Sequence, residues 1–398
     1  MAVPGLDGPP VLRHQPERRT SAWVRGLLIL LLLYLFLFGL KLMGGSFKLL
    51  GKEFTQTLFD LTDNPFSGLF VGVLATAIVQ SSSLTTSITV GLVALGPENG
   101  GISLVGAVPI IMGANIGTSI TNTLVSLMHI RRRDEFRRAF AGAIVHDLFN
   151  WCTVLVFFPL ELVTRHFTGK GYLERAATWL QDYFVGVKPV KAMKPLDVIL
   201  NPLVKPVEHF FTHTLNLVDE AAGACLIVLS LAMLFVVLAG MTKILKAFVV
   251  GRLERIIDHY LFRYAILSYL LGMLATAVVQ SSSVTTSLIV PLLGAGLLTL
   301  EQVYPYTLGA NVGTTVTALI ASLAFISTEP LALTCALVHL LFNVHGVVVF
   351  YPLRAIPIAT ARWYANLAAE RTRYALFFIL GVFIIMPLAV IGLSMLLG

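Results

Sequence analysis

Long apolar stretches recur along this chain, and they restrict its fold more than any other feature. The first reads WVRGLLILLLLYLFLFGLKLM over residues 23–43. About 20 consecutive apolar residues form a helix that crosses the ~30 Å hydrocarbon core of a bilayer. Backbone N–H and C=O groups find no partner in lipid, so an apolar segment of this length crosses it as a helix. The sequence therefore predicts an all-α polytopic membrane protein.

The composition and the number of apolar stretches support this fold class. Of the 398 residues, 57% are hydrophobic and 12% are charged, whereas about a quarter of the residues in soluble domains are charged. A cleaved signal peptide is an alternative for the first stretch, but its length and a counterpart later in the chain favour a retained helix. We predict spanning helices at about 23–43, 104–129, 138–160, 222–247, 303–326, 331–353 and 374–397.

The charged residues predict the orientation of the chain. The net charge is +7, and arginine and lysine cluster in short segments at 131–138, 243–263 and 354–373. This pattern follows the positive-inside rule rather than indicating a nucleic-acid partner, so it places these segments and the amino terminus in the cytoplasm. The segment 161–221 carries balanced charge and is expected outside, as an extracellular loop. The Pro- and Arg-rich tail at 1–20 is expected to be disordered.

The chain contains an internal duplication. GVLATAIVQSSSLTTSITV at 72–90 is identical to GMLATAVVQSSSVTTSLIV at 272–290 in 14 of 19 positions. Two further pairs follow in the same order, MGANIGTSIT with LGANVGTTVT and HDLFNWCTVLVFFPL with HLLFNVHGVVVFYPL. Matched blocks of this kind are typical of membrane transporters built from repeats. The predicted domains are the tail at 1–20, repeat 1 at 21–160, the extracellular loop at 161–221, repeat 2 at 222–353, and a cytoplasmic loop with the C-terminal helix at 354–398.

Each repeat carries QSSS near the centre of an apolar segment, at 66–96 and 265–296. Such a segment is long for one spanning helix and short for two, so we predict a re-entrant hairpin with QSSS at its tip. Because a hairpin returns to the side from which it entered, the two repeats would have inverted topology and the carboxyl terminus would lie outside the cell. The Gly-Ala-Asn-Ile/Val-Gly motif of each repeat is predicted to break its helix.

The polar clusters predict a binding site where the two tips and the two broken helices meet. A single serine in a membrane helix usually bonds its own backbone, but here a run of hydroxyls with a glutamine occurs in both repeats. Oxygens of Ser, Thr, Gln and Asn suit a small cation such as sodium, and their O–H and N–H groups can donate to an oxyanion. No Lys or Arg lies in these segments. The pattern therefore favours cation-coupled transport of an anion.

Asp147 is the one acidic residue well inside an apolar span. Intramembrane carboxylates are expensive to bury and usually serve a function, so we expect this residue to bind a cation or to couple charge movement. A structural contact with His146 or a neighbouring amide is the alternative. The counterpart in repeat 2 is Leu340, so the role of Asp147 breaks the symmetry of the repeats. Asn150, nearly one helical turn later, is a further candidate ligand.

At QSSS, GANIGTSITNT and RRAFAGAIVHDLFNW the chain resembles the type II sodium-dependent phosphate cotransporters, over nearly all of residues 23–396. The resemblance implies symport of inorganic phosphate with sodium by alternating access in the plasma or inner membrane. It implies no enzymatic activity and no cofactor besides sodium as the coupling ion. Electrogenic members carry aspartate at the position of Asp147, so electrogenic transport is implied. The absence of Asn-x-Ser/Thr acceptor sites is typical of a bacterial member.

The resemblance also implies the site residues. The family's sodium site in repeat 2 falls on Gln280, Ser281, Ser282, Thr314 and Thr317. We extend the sodium prediction to matched residues of repeat 1 and to the third block, namely Gln80, Ser81, Thr118, Thr121, Asp147 and Asn150. Phosphate is implied to contact both tips, with help from the glycine motifs, at Ser82, Ser83, Ser282, Ser283, Gly113, Asn115, Gly309 and Asn311. Many members have serine where this chain has Ala310, so a hydroxyl ligand is lost there.

Three alternatives to phosphate transport have less support. A cotransporter of another anion, such as a dicarboxylate or sulfate, would share the architecture, and a sodium-permeable channel would be lined by the same hydroxyls. An enzyme is the least supported class, because the sequence has no Ser-His-Asp spacing, metal-ligand cluster or nucleotide-binding loop. The expected partners are phosphate, sodium and the lipid bilayer, and nothing in the sequence indicates an oligomeric state.

Overall fold

The chain folds into helices joined by short links. A computed structural model describes residues 22–50, 62–185, 195–256, 262, 264–325 and 329–397, and these contain no strand. The tail predicted at 1–20 lies outside the described residues. In chain order the α-helices are α1 (Ala22–Leu49), α2 (Pro65–Val79), α3 (Ser82–Leu95), α4 (Leu104–Gly117), α5 (Ile120–Ser126), α6 (Arg133–Thr168), α7 (Tyr172–Val185), α8 (Pro195–His209), α9 (Asp219–Ile256), α10 (Ala265–Val279), α11 (Ser282–Ser287), α12 (Val290–Gly294), α13 (Leu300–Leu323), α14 (Leu331–Phe350), α15 (Ala355–Glu370), α16 (Arg373–Leu380) and α17 (Met386–Leu397).

Six helical stretches within the described residues are long and apolar enough to cross a membrane. The prediction of an all-α polytopic membrane protein is therefore confirmed. A seventh predicted span, at 303–326, forms helix α13 but is not one of the six. Its buried polar residues, such as Asn311 and Thr314, reduce its mean hydropathy. The six stretches are Gly26–Met43, Leu104–His129, Arg133–Thr168, Asp219–Gly240, Leu331–Phe350 and Arg373–Leu396.

In each QSSS segment, the helix before QSSS and the helix after it meet at a sharp break. Gln80 ends α2 in the left-handed region with φ 55°, and Ser81 begins α3 by accepting a hydrogen bond from the Leu84 N–H at 3.2 Å. Gln280, with φ 57°, and Ser281 repeat this geometry between α10 and α11. Each break is thus closed by a helix C-cap and a serine N-cap. The re-entrant path of the two segments through a membrane stays a prediction.

The helical part that follows QSSS is interrupted in repeat 2 but continuous in repeat 1. Helix α3 runs without a break from Ser82 to Leu95, whereas α11 ends at Ser287 and α12 begins at Val290. Pro291 stands at the position matched by Gly91. Proline has no N–H to bond the carbonyl group four residues earlier, which here belongs to Ser287, so the helix loses a hydrogen bond at this point.

The glycine motifs pack helices together, and the prediction that they unwind is wrong for repeat 2. GANVG lies within the uninterrupted helix α13, and in repeat 1 the interruption comes at Thr118–Ser119, just after GANIG. A Cβ atom at Gly113 would overlap the carbonyl oxygen of Leu69, and one at Gly309 would overlap that of Tyr269. The absence of a side chain lets neighbouring backbones approach, as small residues often do in membrane helices.

Two segments that were expected to be loops contain helices. The segment 161–221, predicted to be extracellular, includes the end of α6 and helices α7 and α8. The segment after residue 353, predicted to be cytoplasmic, includes α15. Helix α15 is rich in alanine, the residue with the highest helix propensity. Its buried residues Ala361, Ala365 and Ala368 form a narrow face, and the helix packs against α6.

Equivalent helices pair in the same way in both copies of the sequence repeat. Helix α2 packs along α4 in repeat 1, and α10 packs along α13 in repeat 2. The first helices of the two repeats, α1 and α9, lie against each other. Between the repeats, α3 contacts α13 and α14, and the short helices α5 and α11 meet. These contacts bring the two QSSS breaks together, while the inverted topology stays a prediction.

Candidate functional site

The two QSSS tips meet through direct hydrogen bonds between the repeats. The Ser83 hydroxyl donates to the Gln280 carbonyl oxygen at 2.9 Å, and the Ser283 hydroxyl donates to the Thr118 carbonyl oxygen at 3.0 Å. The Thr317 hydroxyl donates to Ser83 Oγ at 3.4 Å. Ser83 therefore contacts both the tip and the α13 side of the sodium site that was predicted in repeat 2. Residues far apart in the sequence form one site.

Among the described residues, three uncharged side chains that were predicted to bind sodium have a buried oxygen atom without a hydrogen-bond partner. These atoms belong to the amide of Gln280 and the hydroxyls of Ser282 and Thr121. A buried polar atom without a partner costs about 1–3 kcal/mol, so such atoms indicate places where a ligand belongs. Neutral oxygens suit a hard monovalent cation, since they bind it without the penalty of a second buried charge. All three residues are predicted sodium ligands.

The threonine hydroxyls of the helices beside the tips are oriented by their own backbone. Thr314 donates to the Ala310 carbonyl oxygen at 3.1 Å, and Thr118 donates to that of Ala114 at 3.0 Å. A hydroxyl that donates its only hydrogen in this way still has lone pairs to offer. These two threonines can therefore act as cation ligands without changing their rotamers.

The matched glutamines are not equivalent. The Gln80 side chain is exposed, whereas Gln280 is partly buried and its amide oxygen is enclosed. Ser81 and Ser281 both use their hydroxyl oxygens as helix caps. Gln80 and Ser81 thus occupy the same backbone positions at their tip as Gln280 and Ser281. The Gln80 side chain is open to the surface, whereas the amide oxygen of Gln280 is enclosed.

Asp147 lies fully buried beside the interruption of the helix in repeat 1. Its Oδ1 atom accepts a hydrogen bond from the Ser119 hydroxyl, and its Oδ2 atom has no partner. His146 does not bond this carboxyl group. Its Nε2 atom lies 2.9 Å from Asn311 Oδ1, and its Nδ1 atom has no hydrogen-bond partner. The alternative of a structural pair between Asp147 and His146 is therefore wrong. The carboxyl group keeps one free oxygen at a break between α4 and α5.

A network of asparagines joins the two glycine motifs. Asn311 donates through Nδ2 to Asn150 Oδ1 at 2.8 Å and to Asn343 Oδ1 at 2.6 Å. Asn150 in turn donates to the Asn115 carbonyl oxygen at 2.6 Å. The amide hydrogens of Asn311 are therefore used within the protein. His339, which matches His146, is fully buried with neither ring nitrogen bonded.

The phosphate contacts predicted at the glycine motifs do not match this geometry. Gly113 and Gly309 lie inside helices, where backbone N–H groups bond the preceding turn. The side chain of Asn115 donates to the Ile111 carbonyl oxygen at 2.8 Å, and Asn311 is bonded as described. The serines of the two tips are therefore the better placed of the predicted phosphate ligands. Ser82, Ser83, Ser282 and Ser283 are all buried.

The comparison with known proteins identifies a family whose model matches both repeats. Residues 35–167 and 223–352 match the family model described as Na+/Pi-cotransporter. The chain belongs to the Na+/Pi-cotransporter family. The two matched ranges of this family member contain both QSSS tips, both glycine motifs and Asp147. The predicted resemblance is confirmed.

Named relatives of this Na+/Pi-cotransporter family member are similar over most of its length. The sodium-dependent phosphate transport proteins 2B of Pongo abelii and of Homo sapiens are each 34% identical to it, over 93% of this chain and over 66% and 65% of their own lengths. The protein 2A of Ovis aries is 35% identical over 92% of this chain and 67% of its own length. The chain thus spans just under two thirds of the first two relatives. No solved structure matches it.

Asn122 is a site residue of this family member that the sequence comparison of the repeats missed. Its Nδ2 atom donates to Thr286 Oγ1 at 2.7 Å across the repeats, and its buried Oδ1 atom has no partner. Asn122 follows the matched block directly, but Ala318 occupies the equivalent position in repeat 2. Ser119, which bonds Asp147, was also not predicted, although it lies inside the matched block with Thr315 as its equivalent. A search for polar residues on the helical face shared with Thr118 would have found Asn122.

Proposed function

We propose that this protein is a secondary active transporter that imports inorganic phosphate together with sodium by alternating access. The observation that carries the proposal is the junction of the two QSSS tips. There Ser83 reaches the carbonyl group of Gln280 across the repeats, beside the unpartnered oxygens of Gln280 and Ser282. The junction combines cation ligands with hydroxyl donors for an oxyanion and contains no basic side chain. The names of the relatives give the same pair of solutes.

Sodium would bind on the repeat-2 side of the junction. The unpartnered amide oxygen of Gln280 and the hydroxyl oxygen of Ser282 would coordinate it from the tip, and Thr314 and Thr317 from α13. Ser281, whose hydroxyl caps α11, would contribute its remaining lone pair. Thr121 and Asn122 offer further unpartnered oxygens in repeat 1. We propose that further sodium ions are coordinated by the other predicted ligands of repeat 1, namely Gln80, Ser81, Thr118, Asp147 and Asn150.

Phosphate would bind between the tips. In the structure the hydroxyl hydrogens of Ser83 and Ser283 bond carbonyl oxygens of the opposite repeat. Rotation of each hydroxyl would redirect its hydrogen to a phosphate oxygen, so the anion would replace the contacts that hold the tips together. Ser82 and Ser282 would supply the other donors. Bound sodium would supply the positive charge that the site lacks, which makes anion binding depend on sodium.

Asp147 would make transport electrogenic. When the positive charge of the bound sodium ions exceeds the negative charge of phosphate, each cycle moves net charge across the membrane. Moving one charge through about 100 mV provides about 2.3 kcal/mol. A carboxylate with one free oxygen at the α4–α5 break would bind the additional cation. We place the transporter in the plasma or inner membrane, with the arginine-rich ends of α6 and α15 in the cytoplasm.

Uptake of labelled phosphate into proteoliposomes tests this function. An imposed inward sodium gradient should drive accumulation, and replacement of sodium by potassium should abolish it. Arsenate should compete with phosphate, whereas succinate and sulfate should not. Accumulation should increase when the interior is made negative. Inserted, folded protein that moves succinate or sulfate but not phosphate would refute the substrate, and phosphate flux that does not depend on sodium would refute the coupling.

A further inference from the structure

A cavity of about 370 Å³ lies at the arginine-rich end of the molecule. Three arginines line it, Arg137 and Arg138 from the start of α6 and Arg362 from α15, together with Thr299 and Asn366. No acidic side chain is among the residues that line it. None of its residues belongs to the site between the QSSS tips. The cavity therefore concentrates guanidinium groups between α6, α15 and the link that joins α12 to α13.

The arginines are held in place but not saturated. Arg138 donates to the carbonyl oxygens of Leu293 at 3.3 Å and of Gly294 at 2.6 and 3.0 Å, so its bonds go to neutral groups. Arg137 pairs with Asp134 at 3.3 Å and Arg362 with Glu301 at 2.5 Å. Each guanidinium has five N–H donors, and two such groups can grip one oxyanion with paired hydrogen bonds. Positive charge and free donors therefore remain in the cavity.

Part of the cavity lining is apolar. Ala141, Leu298 and Ala365 contribute to its lining. Trp363 and Leu297, which are neighbours in sequence of the lining residues Arg362 and Leu298, are 60% and 61% exposed. Tryptophan is enriched at the level of lipid headgroups, where one part of the ring meets apolar chains and the other meets water. A free inorganic anion would gain nothing from these apolar surfaces.

We propose that this cavity binds the phosphate-bearing headgroup of an anionic phospholipid. The arginines would hold the phosphoryl oxygens, and the apolar part of the lining with Trp363 would receive the glycerol and the first part of the acyl chains. Basic pockets between membrane helices are known places for such headgroups. The bound lipid would link α15 to α6 and to the α12–α13 segment. It would thereby fix a peripheral helix onto the elements that carry the transport site.

Lipid binding to the full-length purified protein tests this assignment. The thermal unfolding midpoint would be measured in neutral detergent and sodium-free potassium buffer, with increasing dioctanoylphosphatidylglycerol, dioctanoylphosphatidylcholine or inorganic phosphate. The cavity variant Arg137→Gln/Arg362→Gln would be compared with Arg131→Gln/Arg371→Gln, which removes the same charge from exposed positions outside the lining. The anionic lipid should stabilise the wild type and the control alike. The cavity variant should need about thirtyfold more of it, the loss expected for two arginine contacts.

A second variant keeps the test decisive if the double substitution prevents folding. Asn366→Trp leaves every charge in place and fills the cavity, so it should weaken binding of the anionic lipid in the same way. Equal stabilisation of the wild type and both variants by phosphatidylglycerol would overturn the proposal. Stabilisation by inorganic phosphate that depends on the arginines, with none from phosphatidylglycerol, would also overturn it and assign the cavity to a free anion. None of these outcomes depends on transport activity.

Discussion

Gln280 combines an unfavourable backbone conformation with a side-chain oxygen that has no partner. A left-handed residue other than glycine costs roughly 1–2 kcal/mol, and helices usually place glycine at such a position. Glutamine nevertheless occupies it in both repeats, at φ 55° and 57°. The backbone thus favours glycine, and the presence of glutamine is explained by its amide group.

Gln280→Gly separates the backbone role of this residue from its ligand role. Glycine adopts the left-handed conformation at little cost, so the thermal unfolding midpoint should stay the same or rise. The lost oxygen should raise the sodium concentration for half-maximal phosphate uptake by about tenfold or more, as expected for an interaction with a charged partner. Gln80→Gly makes the same backbone change where the side chain is exposed, so it should change sodium activation less than Gln280→Gly does. Unchanged sodium activation in Gln280→Gly would remove this residue from the site.

Asp147→Asn tests the coupling of charge. Asparagine preserves the side-chain shape and can still accept the hydrogen bond from Ser119, but it carries no charge. We expect phosphate uptake to continue at a reduced rate while the charge moved per phosphate falls. Simultaneous recording of current and labelled phosphate uptake measures this ratio. Ser119→Ala, which removes the neighbour and keeps the carboxyl group, should leave the ratio unchanged. A wild-type ratio in Asp147→Asn would refute the coupling role.

At the level of elements, the close contact between α10 and α13 depends on Gly309. An added methyl group would meet the Tyr269 carbonyl oxygen, which belongs to a helix backbone and cannot rotate away. Gly309→Ala should therefore destabilise the protein by about 1–3 kcal/mol, seen as a lower unfolding midpoint in detergent. Gly381→Ala is the control, because nothing lies within 4 Å of the added atom. Equal midpoints for the two variants would contradict the packing role.

The elements that the sequence predicted well are those with a strong local signal. The apolar runs predicted the spanning helices, and the identical polar runs predicted the breaks at Gln80 and Gln280. The glycine motifs were misread because composition favours both an unwound helix and a close helix contact. Only the neighbouring helix decides between them, and for Gly309 the contacting residue Tyr269 lies 40 positions earlier. Helix α15 was missed because the segment 354–373 was interpreted only through its arginines, which predict orientation, and not through its alanine-rich helix propensity.

The candidate site was predictable to the extent that the repeats match. Ser83 and Ser283 were found because the same run occurs twice. Asn122 was not found, since its equivalent in repeat 2 is alanine. The contact of Ser83 with Gln280 could not be derived from one repeat, because it depends on how the two repeats face each other.

At the level of the whole molecule, Ser83 joins the two repeats through Gln280 and Thr317. Ser83→Ala should raise the concentrations of both sodium and phosphate for half-maximal uptake, each by about fivefold, which corresponds to the net value of roughly one hydrogen bond. Ser87→Ala is the matched control in the same helix, because its hydroxyl bonds only the Ser83 carbonyl oxygen. An effect on one solute alone would contradict a shared role at the junction.

The interruption at Leu288–Ile289 gives the two arms of the site different mechanical properties. Helix α3 is continuous from Ser82 to Leu95, so a displacement of the first tip moves the whole helix. The second tip is carried by the six-residue helix α11. At Leu288–Ile289 the helix gives way to a turn, in which the Ile289 N–H bonds the Thr286 carbonyl oxygen three residues earlier at 3.0 Å. Bending a helix costs least where its ladder of hydrogen bonds is broken. The tip that carries Gln280 and Ser282 can therefore move by bending at Leu288–Ile289, whereas the tip of repeat 1 is attached to a continuous helix.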